Sequence, residues 1–353
     1  PQAAYQGLRE GLRKLYAIAE KGGWEQLPDG PSLKPGMRDA RVPLLRQRMM
    51  AAGLLTERGP GSTHFDEILS DSVKQFQREQ YLDADGAVGK DTRAALNIPV
   101  EVRIDQIRAN LERGRWLLHE AKGNFVLVDV AGFRIYYYRD GQPVWNSRVQ
   151  VGKPYRSTPI FKSRVTYFTF NPTWTIPPTI FKEDVLPHVR KDPEYLAKNN
   201  WQVLDSAGKP LDPAGIDWNH PGNILLRQAS GPTNPLGQVV IRFPNPYAVY
   251  LHDTTAKGQF GRGQRAFSSG CIRVERPLEL VELLLNDPNK WSREQIDTAI
   301  ATGNTRDLGL VTPVPILLAY YTVAIGSDGR VQYKQDIYSR DPELVAALNR
   351  QVK

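Results

Sequence analysis

The stretch from Tyr250 to Pro277, YLHDTTAKGQFGRGQRAFSSGCIRVERP, contains Cys271, the single cysteine of the chain, and His252, 19 positions before it. A free thiol titrates near about 8.5 and is mostly protonated at neutral pH, so a cysteine nucleophile needs a base within hydrogen-bond reach. The spacer carries Gly258, Gly261 and Gly263 and can loop back to set imidazole and thiol side by side. Ser268-Ser269-Gly270-Cys271 makes a tight turn without bulk. From it the backbone N–H groups of Gly270 and Cys271 could meet a developing oxyanion. Arg273, two residues on, can grip a substrate carboxylate with two parallel hydrogen bonds. A lone cysteine is more often a small buried apolar residue. Here a base, oxyanion donors and an anion clamp accompany it, which argues for a nucleophile of acyl transfer.

Around this stretch the texture is that of strands. FVLVDV and FRIYYY follow Gly123, Asp140-Gly141 makes a hairpin turn into VWNSRVQVG, and RVTYFTF, VVIRF and AVYLHD come later. Pro177-Pro178 opens a different segment, about 177–232, with helical pieces at Glu183 to Arg190 and Glu194 to Asn199, read as a lid inserted in the β domain. Two helices follow, Leu278 to Leu285 and Arg293 to Thr302, then a hairpin turning at Asp328-Gly329 and a short helix from near Pro342. The first residues are helical instead: Tyr5, Leu8, Leu12, Leu15, Tyr16 and Ala19 recur at helical spacing until Gly22-Gly23. Ile104, Ile107, Leu111 and Leu118 repeat that pattern in residues 101–121, so this helix is expected to pair with the first.

Between these helices, Asp71, Val73, Phe76, Gln77, Leu82, Asp85-Gly86, Gly89, Thr92, Ala95 and Leu96 resemble a three-helix peptidoglycan-binding module, chiefly through DGAVGKDTRAAL. The loop from Thr56 to Asp66 is longer than in the simplest version of that module. The Tyr250 to Pro277 stretch resembles the L,D-transpeptidases with a YkuD-type catalytic domain. Their signature is a His, a spacer of this length, a Ser/Thr-His-Gly-Cys turn and a downstream Arg or Asn. His252, Gly270, Cys271 and Arg273 match it, whereas Ser269 stands where most of the family has His, which removes a second imidazole. FNPTWTIPP (Phe170 to Pro178), GPTNPLG (Gly231 to Gly237) and FPNPYAVYLHDT (Phe243 to Thr254) are similar to the large periplasmic members that carry an inserted wall-binding module.

The fold expected is α+β: a helical scaffold over 1–35 and 99–122, a peptidoglycan-binding-like module over 36–98, and a mainly-β catalytic domain over 123–353 with the lid. The resemblance implies that the Cys271 thiolate, deprotonated by His252, attacks the carbonyl between the third and fourth residues of a tetrapeptide stem. D-Ala leaves, and an amine of a neighbouring stem resolves the thioester into a 3→3 cross-link. Arg273, Tyr250 and Ser269 would face the donor stem, Trp174 with the lid would shape the cleft, and a carbapenem would acylate the same thiol. The rival readings are an L,D-carboxypeptidase or endopeptidase with water as acceptor, attachment of a lipoprotein to the wall, and a non-catalytic wall-binding protein.

Composition bounds the alternatives. A single cysteine excludes an intramolecular disulfide, and His64, His119, His188 and His220 have no partners at metal spacing, so no metal and no cofactor are expected. Asp217, His220 and Asn223 could line a substrate channel. The net charge of +8 comes without a dense Lys/Arg run interleaved with aromatics, so an anionic wall or membrane surface is expected as partner rather than nucleic acid. No apolar run is long enough to span a bilayer, which takes about 20 residues. A periplasmic location is expected, with a targeting or anchoring segment preceding Pro1.

Overall fold

Aromatic and β-branched residues crowd the segments after Gly123, and their side chains suit a pleated, packed surface. The computed structural model describes residues 2–56, 62–118, 122–192 and 194–350. It divides into two units, residues 1–122 with 320–353 and residues 123–319.

In the second unit, strands β1 (Phe125–Asp129), β2 (Arg134–Arg139), β3 (Gln142–Gly152), β4 (Phe161–Phe170), β8 (Val239–Arg242), β9 (Leu251–His252), β10 (Ala266–Ser268), β11 (Ile272–Val274) and β12 (Arg306–Ala319) form one sheet. Its order is β10-β3-β11-β9-β8-β4-β12-β1-β2, and β2 also pairs with β3, so the ladder closes on itself. β3 makes that closure. Its first part lies against β2, with Arg148 opposite Arg134, and its last part lies against β11, with Gln150 opposite Arg273. All five residues of β1 are buried, as expected where a parallel neighbour (β12) and an antiparallel one (β2) flank it. Nothing in the sequence reading anticipates β12, because Pro313 and Pro315 argue against a strand. The ladder accommodates them with an irregularity between Gly309 and Val314. Helices α9 (Pro277–Leu285) and α10 (Arg293–Ala301) fall where apolar periodicity puts them. A capping box of Ser292 and Gln295 starts the second of these.

The segment read as a lid has its own small core of Ile176, Val185, Val189, Leu196, Val203 and Leu226. Its sheet, in the order β5-β7-β6, comprises β5 (Trp174–Thr175), β6 (Trp201–Leu204) and β7 (Leu225–Gln228). It therefore starts at Trp174, three residues before Pro177. Short helices α6 (Pro178–Ile180), α7 (Leu186–Lys191) and α8 (Tyr195–Lys198) cover it, with a wider helical turn over Phe181–Val185.

The first unit contains α1 (Gln2–Ala19), α2 (Val42–Ala51), α3 (Glu67–Glu79), α4 (Lys90–Leu96) and α5 (Val100–Leu118). Asp66 caps α3 by accepting the Leu69 N–H at 2.9 Å. Leu33, Leu45, Met49, Phe65, Leu69 and Val73 centre one core, and Leu8, Leu15, Ile104 and Ile107 centre the core that pairs α1 with α5. The expected catalytic span of 123–353 is too long at its end. Residues 320–353, with hairpin β13 (Val323–Ile325) and β14 (Val331–Tyr333) and helix α11 (Asp341–Asn349), belong to this helical unit. The reason is physical. Val323, Ile325, Val331 and Tyr333 complete the apolar stripe of α1 and α5, and buried polar groups of α5 need them. Gln106 Nε2 donates to the carbonyls of Thr322 and Lys334 at 3.0 Å, and Arg113 pairs with Asp341. Part of the long Thr56 to Asp66 loop and His119 lie outside the described residues.

Candidate active site

The register of β9 and β11 builds the site. These strands are parallel, with Ile272 opposite Leu251 and Arg273 opposite His252, and Ile272 N–H donates to the Tyr250 carbonyl at 3.1 Å. Side chains alternate between faces along a strand, so Tyr250 and His252 share one face with Cys271 and Arg273. Tyr250 and His252 meet edge to face with ring centroids 5.7 Å apart. Four residues singled out in the sequence thus converge by strand pairing.

His252 is buried, and its Nδ1 is hydrogen-bonded to the Asp253 carbonyl oxygen. A carbonyl can only accept, so Nδ1 carries the proton and Nε2 is free to take one. Burial, reinforced by the Arg273 charge, pushes the imidazole down to about 3, which makes it neutral at pH 7. The Asp253 carboxylate does not touch the imidazole. It pairs with Lys257 and accepts the Gln238 N–H at 2.9 Å.

Cys271 is partly exposed, in the turn between β10 and β11. Burial of the sulfur pushes the thiol above its ordinary value. Hydrogen bonds from the Tyr250 backbone and side chain, and the charges of Arg273 and Arg242, pull the other way. Burial, and then the neighbouring Cys271, keep the Tyr250 hydroxyl far above its ordinary value, so it stays a donor to the sulfur, and it is itself hydrogen-bonded to Trp174. Trp174 therefore reaches the Cys271 sulfur through Tyr250. Arg242 was not among the residues read from the sequence; it lies 5.1 Å over the Tyr250 ring.

The turn differs from expectation at one donor. Gly270 has φ +115°, a conformation that favours glycine, and its N–H points to Ser268 Oγ at 3.1 Å. It is therefore occupied and is not an oxyanion donor in this arrangement. Ser268 Oγ in turn donates to the Cys271 carbonyl at 2.5 Å, and Thr158 Oγ1 donates to the Gly270 carbonyl at 2.8 Å. The turn's hydrogen-bonding capacity is used internally, which leaves the Cys271 N–H as its candidate donor to substrate. Gly152 allows this bracing, since a Cβ there would lie 2.1 Å from the Arg156 carbonyl oxygen.

Ser269 accepts a hydrogen bond from Arg156 Nη1 at 2.9 Å, and the same guanidinium pairs with Asp184 (2.7 Å) and Glu183 of the lid. No sequence signal marks Arg156, because its partners lie 27 to 113 positions away. Arg273 Nη1 donates to Gln150 Oε1 at 3.1 Å, while its buried Nε has no partner among the described residues. Asp217 and His220 pair with each other at 3.1 Å on an exposed loop. His188 stacks on Tyr195. Among the described residues no group of three His, Cys, Asp or Glu side chains is placed to hold a metal ion.

A closed mixed sheet presents thiol, imidazole and guanidinium on one face, and comparison assigns the class. The chain belongs to the L,D-transpeptidases: residues 123–316 match the YkuD family model, described as the L,D-transpeptidase catalytic domain. Residues 38–96 match a model described as "Putative peptidoglycan binding domain". A Haemophilus influenzae protein named "Putative L,D-transpeptidase" is 36% identical over 230 residues, which are 64% of this chain and 46% of that protein. The chain thus spans about half the length of the curated relative it matches. Among solved structures, an L,D-transpeptidase from Xylanimonas cellulosilytica is 15% identical, covering 82% of this chain and 99% of its own, at a TM-score of 0.26. The catalytic domain of the E. faecium L,D-transpeptidase acylated by ertapenem is 14% identical, covering 56% and 97%, also at 0.26. Likeness at that level carries no weight for function.

Proposed function

We propose that this chain forms 3→3 cross-links between peptidoglycan stems through a thioester on Cys271. The observation that carries the reading is the shared face of Cys271 and His252 on paired strands, with the imidazole neutral and its Nδ1–H fixed by the Asp253 carbonyl. Nε2 takes the thiol proton as sulfur attacks the carbonyl between the third and fourth stem residues. The tetrahedral oxyanion meets the Cys271 N–H. Its collapse breaks the amide bond, and the D-Ala amine leaves with the proton from His252. The side-chain amine of diaminopimelate in a second stem then attacks the thioester and loses its proton to His252, and the thiol regains it on departure. Arg273 faces the same surface and suits a carboxylate of the donor stem, while Trp174 and Tyr250 shape the cleft beside the sulfur. Such a substrate lies outside the cytoplasmic membrane, so the reading implies a periplasmic or otherwise extracytoplasmic enzyme; no described helix is long and apolar enough to cross a membrane.

The test is incubation with disaccharide-tetrapeptides followed by mass spectrometry. Cross-linked dimers with loss of D-Ala are expected from the native chain and none from Cys271→Ala. Tripeptide alone would replace this reading with hydrolysis, and an unchanged substrate would replace it with a binding role. His252→Gln should lower turnover by about 10²–10⁴-fold, the usual contribution of a general base. A carbapenem should add its mass once to the native chain and not to Cys271→Ala.

A further inference from the structure

The helical unit holds a cavity of about 740 Å³ walled by α1, Trp24, the ends of α2 and α3, Arg103 and the β13–β14 turn. Two buried guanidiniums line it: Arg48 is 7% exposed and Arg103 is 5% exposed. Arg48 lies 3.8 Å over the Trp24 ring, and its Nε donates to the Leu96 carbonyl at 3.1 Å. Its two terminal amino groups have no hydrogen-bond partner among the described residues. Arg103 lies 4.3 Å over the Tyr333 ring and donates to the neutral side-chain oxygens of Gln106 (2.8 Å) and Gln80.

The nearby carboxylates do not answer these charges. Glu79, buried in the wall, is engaged by Arg330, while Glu10 and Asp328 stand exposed at the rim beside Lys14. Burial, and then the charge of Arg103, hold the Arg48 guanidinium down at about 10. A buried charge without a counter-charge is unfavourable unless something supplies one. Stacking on the Trp24 ring uses the face of the Arg48 guanidinium and leaves its terminal N–H edge for a carboxylate, while Arg103 spends one N–H of each terminal amino group on Gln106 and Gln80 and keeps the others.

We propose that this cavity is a binding site for a carboxylate-bearing peptide, whose carboxylates are held by Arg48 and Arg103. The volume is that of a site for a molecule rather than a lone ion. Leu15, Ile18 and Val331 supply an apolar wall for its body. The choice of a peptide rests on the reading that the chain works on peptidoglycan, whose stems carry several carboxylates.

The experiment uses the full chain with Cys271→Ala and the free tetrapeptide L-Ala-γ-D-Glu-diaminopimelate-D-Ala as probe. The readout is the Trp24 indole N–H signal in a ¹H–¹⁵N spectrum, assigned with Trp24→Phe. A saturable shift at millimolar peptide is expected, weakened roughly tenfold in Arg48→Gln and in Arg103→Gln, about the loss of one charge-assisted hydrogen bond. The methyl-esterified peptide should give no shift, a comparison that needs no Arg variant to fold. An absent shift, an equal shift with the ester, an equal shift with acetate, or unchanged affinity in both variants would overturn the site. Cross-linking by the native chain is measured separately, so an empty cavity beside an active enzyme removes this inference and leaves the proposed function standing.

Discussion

At the scale of single residues, burial raises the Cys271 thiol and lowers the His252 imidazole, so both shifts favour the neutral pair over an ion pair. The raised thiol follows from burial, and alkylation of Cys271 by iodoacetamide should keep accelerating at pH values above the ordinary cysteine range. With one cysteine in the chain, intact mass reports that reaction without ambiguity. Tyr250→Phe removes a hydrogen bond that favours the thiolate, so its alkylation at pH 8 should be slower than in the native chain. His252 titrates below its ordinary value of 6.5, so its base form persists on acidification until pH approaches about 3. The pH profile of kcat/KM should therefore show no inflection between pH 6 and 7; an inflection there would contradict a buried neutral imidazole. The His and Cys were legible in sequence because thiol chemistry demands such a pair. The Asp253 carbonyl and Arg242 were not, since a backbone acceptor has no residue type and Arg242 is recruited through strand pairing.

At the scale of elements, the turn that carries Cys271 is held from outside by the segment after β3. Thr158 accepts the Gly152 N–H at 2.9 Å and donates to the Gly270 carbonyl, so Thr158→Val removes both of these hydrogen bonds from a buried site. A loss of about 1–3 kcal/mol is expected, read by thermal unfolding. Arg156 joins Glu183 and Asp184 to Ser269, two residues before Cys271. Arg156→Ala should lower kcat/KM for tetrapeptide by about tenfold or more, the weight of charge-assisted hydrogen bonds lost at a substrate-facing turn. The Gly270 N–H shows the limit of reading a turn from its letters. Sequence implies that a glycine N–H can be free, but Ser268 two residues earlier claims it.

At the scale of the whole molecule, residues 320–353 return to the helical unit after the β domain is complete. Asn110 accepts the Thr322 N–H at 2.9 Å, Gln106 bonds two carbonyls of the segment, and Arg113 pairs with Asp341. A chain ending at residue 319 would strip these groups of α5 of their partners and uncover the apolar stripe beside them. Hydrogen exchange should then show loss of protection in residues 1–118 while 123–319 keep theirs. Equal loss in both units would contradict the division.

The sequence by itself determined the secondary elements with clean periodicity, the helices before Gly123 and the change of texture at Pro177, and it singled out His252 and Cys271, which strand pairing then places on one face. Each of these is local chemistry: spacing, turn residues, or a nucleophile that needs a base. Only the tertiary structure decided which unit owns the C-terminal hairpin, that proline-bearing β12 joins the central sheet, and which donors of the turn are spent. It also decided that Arg242 and Arg156 stand near the thiol and its turn. Those outcomes depend on which buried polar groups find partners across long stretches of chain, and pairing at that distance leaves no pattern in neighbouring letters.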